Sequence, residues 1–185
     1  MEITTQHADK VRLYSQDAIR INGLDVQEKF DEAIIDLQEG QKAAFIGSVN
    51  KFDIWKRRGW ETVTEKTDGP HFYGSDNLKA QFQPNELDYI YADASHLDTQ
   101  EPEEANYLFD AASKVLKEGG VIQMYLSTLQ SGNSATIAEQ YNKLGEGLAD
   151  KGFEISIVME APPEEIENNL GKIQIVSIYG KKKAS

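Results

Sequence analysis

The segment SKVLKEGGVIQMYLS, residues 113–127, gives the clearest indication of the fold. It has the pattern of a helix end, a turn at Gly119-Gly120 and then an apolar strand. Glycine suits such a turn because it readily takes the left-handed conformation that closes a helix and lets the chain bend sharply into a sheet. The stretch therefore predicts a helix that leads directly into a buried strand.

The segments around this stretch continue the alternation of helix and strand. ELDYIYAD (86–93) predicts a buried strand, and EPEEANYLFDAASKVLKEGG (101–120) predicts a helix with acids in its first turn, lysines near its end and a final glycine. ATIAEQYNKLGEGLADKG (135–152) predicts another helix. The alternating segments 153–160 and 172–180 predict two strands, and the chain between them is too short for a full helical crossover, so we expect an antiparallel pairing.

The first half of the chain shows the same alternation in shorter elements. KAAFIG (42–47) predicts a buried strand, KFDIWKRRG (51–59) a short helix and WETVTE (60–65) a strand, and HFYGS (71–75) is a further strand candidate. LDVQEKFDEAIIDLQEG (24–40) has apolar residues at helical spacing and predicts a helix that ends at Gly40. The whole pattern predicts an α/β fold: a doubly wound, mostly parallel sheet with helices on both faces.

Composition limits the class of protein. The chain has 185 residues, enough for one domain with a full core, and 39% of them are hydrophobic. No stretch is long and apolar enough to predict a membrane span, and MEITTQHADK at the start does not have the pattern of a secretory signal. There are no cysteines, which excludes disulfides and thiolate metal sites and agrees with a reducing compartment. We therefore expect a cytoplasmic protein without membrane contact.

The charge balance limits the partners. With 31 acidic against 19 basic residues, the net charge is −12, and such a surface repels phosphate backbones. A broad nucleic-acid interface is therefore not expected, whereas a small molecule or a protein partner is left open. The three histidines, His7, His71 and His96, are widely spaced and show no metal-ligand pattern, so no metal site is predicted.

Three segments together resemble a known family. KVLKEGGVIQMYL is similar to the end of the helix after strand four and its entry into strand five in the class I S-adenosylmethionine-dependent methyltransferases, where the segment often reads RVLKPGG. ELDYIYADASHLD resembles strand four of that family, and KGFEISIVME with GKIQIVSIYGKK resembles its closing hairpin of strands six and seven. The resemblance covers about residues 42–183.

The resemblance implies a methyltransferase-like Rossmann fold with a C-terminal antiparallel hairpin. It implies one domain over residues 1–185, in which residues 1–41 form an N-terminal extension of unassigned role. It also implies S-adenosylmethionine as the cofactor. Dimer contacts through residues 1–41, and hence a homodimer, are left open.

The resemblance further implies a set of cofactor-binding residues. In the family, the loop after strand one lies beneath the methionine end of the cofactor, an acid after strand two holds the ribose, and an acid or amide after strand three contacts the adenine. The matching residues here, with the end of strand four, are Gly47, Ser48, Glu65, Asp76, Asn77 and Asp93. For Glu65 an ordinary exposed carboxylate is an equal alternative, and the sequence Gly-Ser-Asp-Asn at 74–77 is also typical of a simple turn.

Asp93 and His96 are the candidate catalytic residues. They follow a predicted strand, and the loops at the carboxyl ends of strands line the ligand crevice of open α/β sheets. Histidine titrates near neutral pH, so His96 is a candidate general base, and the alternative is a solvated loop residue. Methyl transfer from a sulfonium needs little acid–base help, because positioning supplies most of the catalysis.

Two functions are consistent with these residues. The first is S-adenosylmethionine-dependent methyl transfer to a small-molecule or sugar-like acceptor, and the sequence favours it slightly. The second is a catalytically silent domain of the same fold that serves as a binding or assembly module. The altered loop at Gly47–Asn50 favours it, because Ser48, Val49 and Asn50 stand where the family has a glycine-rich loop and valine tolerates positive φ poorly. A nucleotide-sugar or NAD enzyme ranks third, since the sequence contains no G-x-G-x-x-G fingerprint.

Overall fold

The computed structural model of the protein describes residues 19–21, 24–29, 32–35, 37–66, 74–94, 103–129, 143–160 and 173–185. Within them the strands are β1 (Ile19–Ile21), β2 (Leu24–Lys29), β3 (Glu32–Ile35), β4 (Ala43–Gly47), β5 (Glu61–Thr64), β6 (Leu87–Asp93), β7 (Leu116–Leu129), β8 (Phe153–Glu160) and β9 (Ile173–Lys182). The helices are α1 (Phe52–Arg57), α2 (Ser75–Gln81), α3 (Glu103–Val115) and α4 (143–150), and a 3-10 turn, Val49–Lys51, precedes α1.

A six-stranded mixed sheet forms the centre of the fold. Its strand order is β5-β4-β6-β7-β9-β8, and the first four strands are parallel. Strand β9 is inserted antiparallel between β7 and β8. The predicted doubly wound, mostly parallel sheet and the predicted C-terminal antiparallel hairpin are both confirmed.

The two faces of the sheet bury different sets of side chains, because successive residues of a strand point to opposite faces. On β4, Ala44 and Ile46 join a cluster that includes buried residues of α2, α3 and α4. Ala43 and Phe45 join a second cluster on the opposite face, where Trp55 of α1 is buried. Helices therefore cover both faces, as predicted, and the strands are apolar on both sides, as parallel sheets require.

The helix at the start of segment 113–127 ends earlier than the sequence predicts. Helix α3 ends at Val115, and Leu116 already pairs with Leu87 of β6. Gly119 takes the left-handed conformation with φ of 75°, as expected for the turn, but it lies four residues beyond the helix end. The prediction of a helix up to Gly120 is wrong, because residues from Leu116 onward form strand β7, which pairs with β6.

The two glycines instead belong to an irregularity inside β7. The register between β6 and β7 shifts between Leu87 and Tyr89. A Cβ atom on Gly120 would lie 2.8 Å from the carbonyl oxygen of Lys117 and 3.2 Å from that of Asp88, so the backbones approach too closely there for a side chain. Glycine is therefore required by close backbone packing as well as by the left-handed turn.

The predicted helix over 24–40 is wrong. Strands β2 and β3 occupy most of this segment, and with β1 they form a separate antiparallel sheet in the order β1-β2-β3. Ile21 pairs with Leu24, so only Asn22 and Gly23 link the first two strands. In a sequence, Asn-Gly between two segments is a strong indication of a β-hairpin, and it would have been a better guide here than the helical spacing of the apolar residues in 24–40.

The other predicted elements have mixed outcomes. The strands at 42–47, 60–65, 86–93, 153–160 and 172–180 are confirmed, and the short helix at 51–59 is confirmed as the 3-10 turn with α1. The sequence Gly-Ser-Asp-Asn at 74–77, which is typical of a turn, instead begins helix α2, with Gly74 as its N-cap. Residues 71–73 and 135–142 lie outside the described residues, although 143–150 are helical. In the described part of the chain, no helix is long and apolar enough to cross a membrane.

Candidate functional site

The candidate site lies at the carboxyl ends of β4 and β6. These strands are parallel neighbours, with Ile46 of β4 paired to Ala92 of β6. After β4 the chain enters α1 on one face of the sheet, and after β6 it leads to α3 on the other. Such a point, where the chain departs to opposite faces from adjacent strands, opens a crevice in which open α/β sheets bind ligands.

Asp93 and Lys51 form an ion pair at this crevice. Asp93 is the last residue of β6, and only 6% of it is exposed. Lys51 Nζ donates to Asp93 Oδ2 across 2.6 Å, whereas 47% of the Lys51 side chain is exposed. A buried carboxylate needs a compensating partner, and the ammonium of Lys51 supplies one.

The sequence pattern does not single out Lys51, since it predicts only the start of a helix at this position. The available signal is its place in the chain: Lys51 comes one short turn after Gly47, at the end of β4. A long cationic side chain there can reach the end of the neighbouring parallel strand. The pairing of β4 with β6 shows that this neighbouring strand is the one that ends in the carboxylate of Asp93.

The turn after β4 is short and unstrained. Ser48 Oγ donates to Asn50 Oδ1 across 2.6 Å, and the backbone N–H of Lys51 donates to the carbonyl oxygen of Ser48 across 3.0 Å. In the described part of the chain Asn85 is the one non-glycine residue with positive φ, so Val49 has ordinary geometry. The Val49 side chain is 66% exposed, and the 3-10 turn replaces the glycine-rich loop that the resemblance leads one to expect.

Packing alone accounts for Gly47. A Cβ atom at this position would lie 2.4 Å from Cζ of Phe45, which is on the same face of β4. Phe45 in turn stacks on Trp55 with ring centroids 4.7 Å apart, and Trp55 stacks on Tyr91 at 4.9 Å. The aromatic residues near the crevice that the structure describes are thus part of the core, and this stack supports the ends of β4 and β6.

Glu65 lies beside Gly47. Its backbone N–H donates to the carbonyl oxygen of Gly47 across 3.2 Å, which extends the pairing of β5 with β4 by one residue. Gly47, Glu65 and Asp93 therefore lie at the same edge of the sheet, as the sequence predicts. His96 lies outside the described residues, so its place relative to this edge stays a prediction.

Asp76 and Asn77 lie on the first turn of α2 and have different surroundings. Asn77 Nδ2 donates to Thr64 Oγ1 and to the carbonyl oxygen of Lys66, each across 2.8 Å, so its side chain holds the segment that follows β5. The Asp76 carboxylate lies 3.4 Å from Lys79 Nζ on the same helix and is 43% exposed. Asn77 thus has a structural role, and a ligand role for either residue stays a prediction.

The surface depression and the potential metal ligands of the described residues do not add to this site. A surface depression of about 530 Å³ is lined by Asp53, Lys56 and Arg57 of α1, rather than by the strand ends. Among the residues that the structure describes, no group of three or more His, Cys, Asp or Glu side chains is arranged to hold a metal ion.

Comparison with known proteins gives matches in structure alone. No family model matches the sequence, and neither does any curated protein sequence. A solved S-adenosylmethionine-dependent methyltransferase from Archaeoglobus fulgidus is 16% identical, with a TM-score of 0.52 over 78% of this chain and 87% of that chain. One from Methanosarcina mazei is 15% identical, with a TM-score of 0.51 over 81% of this chain and 96% of that chain.

A third solved structure is a larger enzyme. Phosphoethanolamine N-methyltransferase 2 from Haemonchus contortus, in complex with phosphomonomethylethanolamine and S-adenosylhomocysteine, is 14% identical, with a TM-score of 0.50 over 80% of this chain and 50% of that chain. At such identities the likeness concerns the fold. Together with the strand order and the crevice between β4 and β6, it shows that this chain has the fold of the class I S-adenosylmethionine-dependent methyltransferases.

Proposed function

We propose that the protein binds S-adenosylmethionine in the crevice between β4 and β6 and transfers its methyl group to a small-molecule or sugar-like acceptor. The observation that carries this proposal is the buried carboxylate of Asp93, which lies at the crevice beside the end of β4. The structural neighbours support the choice of cofactor. Two of them are S-adenosylmethionine-dependent methyltransferases, and the third is an N-methyltransferase solved with S-adenosylhomocysteine.

The residues at the crevice fit the cofactor chemically. The cofactor carries an ammonium group, a carboxylate, ribose hydroxyls and a positively charged sulfonium, and the ammonium, the hydroxyls and the sulfonium are suited to acidic partners. Asp93 and Glu65 lie at this edge, and Asp93 already holds one ammonium group, that of Lys51. When bound, the cofactor supplies an electrophilic methyl group on its sulfonium.

The chain's own residues contribute positioning. Asp93 would orient a cationic ligand, Glu65 would accept hydrogen bonds from hydroxyl groups, and the backbone at Gly47 and Ser48 would lie beneath the ligand. Asp76 with Asn77 would contact the adenine, and His96 would serve as the general base for an acceptor that must lose a proton. An acidic chain with net charge −12 favours a small acceptor over a nucleic acid.

Titration calorimetry with S-adenosylmethionine and S-adenosylhomocysteine tests the proposal. We expect binding by the wild type and at least tenfold weaker binding by Asp93→Asn, because a charged hydrogen-bond partner typically contributes about 1.5–3 kcal/mol. Asp53→Asn on α1 is the matched control and should bind as the wild type does. If the wild type shows no heat of binding with S-adenosylmethionine and none with S-adenosylhomocysteine, the proposed methyltransferase function is wrong.

That result would favour the second candidate, a catalytically silent domain that serves as a binding or assembly module. Two observations favour it. Gly47 is explained by the packing of Phe45 without any ligand, and the turn after β4 has no further glycine. The carboxylate of Asp93 also has a partner within the protein. Analytical ultracentrifugation at several concentrations would then test self-association, including the homodimer left open above.

A further inference from the structure

We propose that Asn77 is a positioning residue that holds Glu65 at the crevice, so that its carboxylate can accept hydrogen bonds from two neighbouring hydroxyl groups, those of the cofactor's ribose. This inference rests on the proposed function, in which Glu65 accepts hydrogen bonds from hydroxyl groups. It starts from the two hydrogen bonds of the Asn77 amide, which go to the residues directly before and directly after Glu65.

Both donors of the Asn77 amide are used in this contact. Its Nδ2 donates to Thr64 Oγ1 and to the carbonyl oxygen of Lys66, each across 2.8 Å. A side-chain amide has two N–H donors, so these two hydrogen bonds fix the orientation of the group. The Thr64 hydroxyl in turn donates to the carbonyl oxygen of Lys66 across 3.2 Å, which closes the network.

The backbone of Glu65 is held from further directions. Its N–H donates to the carbonyl oxygen of Gly47 across 3.2 Å. The start of α2, which carries Asn77, is packed against the same segment, since a Cβ atom on Gly74 would lie 2.1 Å from the carbonyl oxygen of Thr64. The point from which the Glu65 side chain extends is therefore fixed by β4 on one side and by α2 on the other.

The carboxylate of Glu65, in contrast to its backbone, is available to a ligand. Within the described part of the chain it takes part in no hydrogen bond and no ion pair, and the residue is half-buried. A carboxylate has two oxygens and can accept hydrogen bonds from two adjacent hydroxyls at once. An acceptor that is held in place before the ligand arrives binds more tightly, because less conformational freedom is lost. This arrangement suits a vicinal diol.

The test compares two ligands that differ in one hydroxyl. In calorimetry, the wild type should bind S-adenosylhomocysteine about tenfold more tightly than its 2′-deoxy analogue, because a hydrogen bond to a charged acceptor is lost. Glu65→Gln should lower this affinity ratio to about threefold or less, since the charge is gone. Asn77→Ala should lower the ratio similarly although it keeps the carboxylate. The double variant should have the ratio of Glu65→Gln alone, because Asn77 acts through Glu65.

Further variants separate positioning from stability. Thr64→Val keeps the shape of the side chain and removes one acceptor of the Asn77 amide, so the ratio should fall, but less than in Asn77→Ala. This variant tests the proposal even if Asn77→Ala does not fold. Gln41→Ala is the matched control, since it removes an amide that accepts from the backbone N–H of Gln38 across 2.8 Å, before the amino end of β4. Its ratio should equal that of the wild type.

The outcomes separate this proposal from the proposed function. If Asn77→Ala and Thr64→Val keep the wild-type ratio, or weaken both ligands by the same factor, Asn77 does not act on the diol and only the positioning role is wrong. The same holds if the wild type binds both ligands equally, or if Glu65→Gln keeps the ratio, because Glu65 is then not the acceptor. If the wild type binds neither ligand, both proposals fail.

Discussion

Asn77 Nδ2 donates to the hydroxyl oxygen of Thr64 across 2.8 Å and thereby joins the first turn of α2 to the carboxyl end of β5. The same amide donates to the carbonyl oxygen of Lys66. One side chain thus holds the segment that follows β5 from two points. This contact distinguishes Asn77 from its neighbour Asp76, although the two residues have the same predicted ligand role.

The first prediction compares these neighbours. Asn77→Ala should lower the free energy of unfolding by about 1–2 kcal/mol, because two hydrogen bonds to the segment after β5 are lost. Asp76→Ala should change stability by less than about 0.5 kcal/mol, since its ion pair with Lys79 is exposed. Urea denaturation measures both changes. An Asn77→Ala protein as stable as the wild type would mean that the two hydrogen bonds contribute nothing.

The same two variants separate stability from ligand binding. If Asp76 contacts the adenine as proposed, Asp76→Ala should weaken cofactor binding by about 1–3 kcal/mol without loss of stability. Calorimetry with S-adenosylhomocysteine measures this. Unchanged affinity in Asp76→Ala, with the wild type binding, would remove Asp76 from the site.

The second prediction concerns Val49. Its φ is negative and its side chain is 66% exposed, so valine causes no backbone strain in the turn. Val49→Gly should therefore not improve cofactor binding, and it should cost up to about 1 kcal/mol of stability through the greater freedom of glycine in the unfolded chain. Calorimetry and thermal unfolding measure the two effects. A clear gain in affinity would show that the valine side chain obstructs the crevice.

The third prediction concerns Gly74, which precedes α2. Its φ is 63°, and a Cβ atom there would lie 2.1 Å from the carbonyl oxygen of Thr64. Gly74→Ala should cost more than about 2 kcal/mol, since the left-handed conformation and the clash both act against it. Gly40 is the matched control: its φ is 82°, but no atom lies within 4 Å, so Gly40→Ala should cost only about 1–2 kcal/mol. If urea denaturation shows that both variants lose the same free energy of unfolding, the backbone at Thr64 can move away from the added Cβ atom at no cost.

The fourth prediction concerns acid stability. Glu86 accepts hydrogen bonds from the ammonium of Lys42 and from the backbone N–H of Gln83, and the contact with Lys42 is the main reason that the pKa of Glu86 is lowered. A carboxyl group whose folded-state pKa is lowered stabilises the fold above its unfolded-state pKa, about 4.3, and this stabilisation is lost as the pH falls through the folded-state value.

Glu86→Gln should therefore be less stable than the wild type at pH 7, and the difference should shrink towards pH 3. Urea midpoints at both pH values measure it. A difference that stays constant with pH would show that the lost stability comes from packing or hydrogen bonding rather than from the charge of Glu86.

The fifth prediction concerns nucleic acids. With a net charge of −12 and only short basic runs at 56–58 and 181–183, the protein should have no appreciable affinity for duplex DNA or RNA at about 150 mM salt. Fluorescence anisotropy with labelled duplexes measures this. Micromolar binding at that ionic strength would contradict it.

The fold class could be predicted from local sequence patterns alone. The strands at 86–93, 153–160 and 172–180 have strong local patterns, and the short link between the last two allows no helical crossover. These are local properties: the alternation of apolar residues and the length of a connection are readable without knowledge of neighbours in space. The same local signals placed Gly47, Glu65 and Asp93 at the ends of strands.

The contacts of those residues could not be predicted in this way, because they depend on which strands are neighbours. The ion pair of Lys51 with Asp93 joins residues 42 positions apart, and it exists because β4 and β6 are parallel neighbours. Gly47 is required by a ring on its own strand, and the helix before Gly119 ends early because Leu116 pairs with Leu87. Contacts of this kind depend on strand order and on the packing of one face, which no local pattern contains.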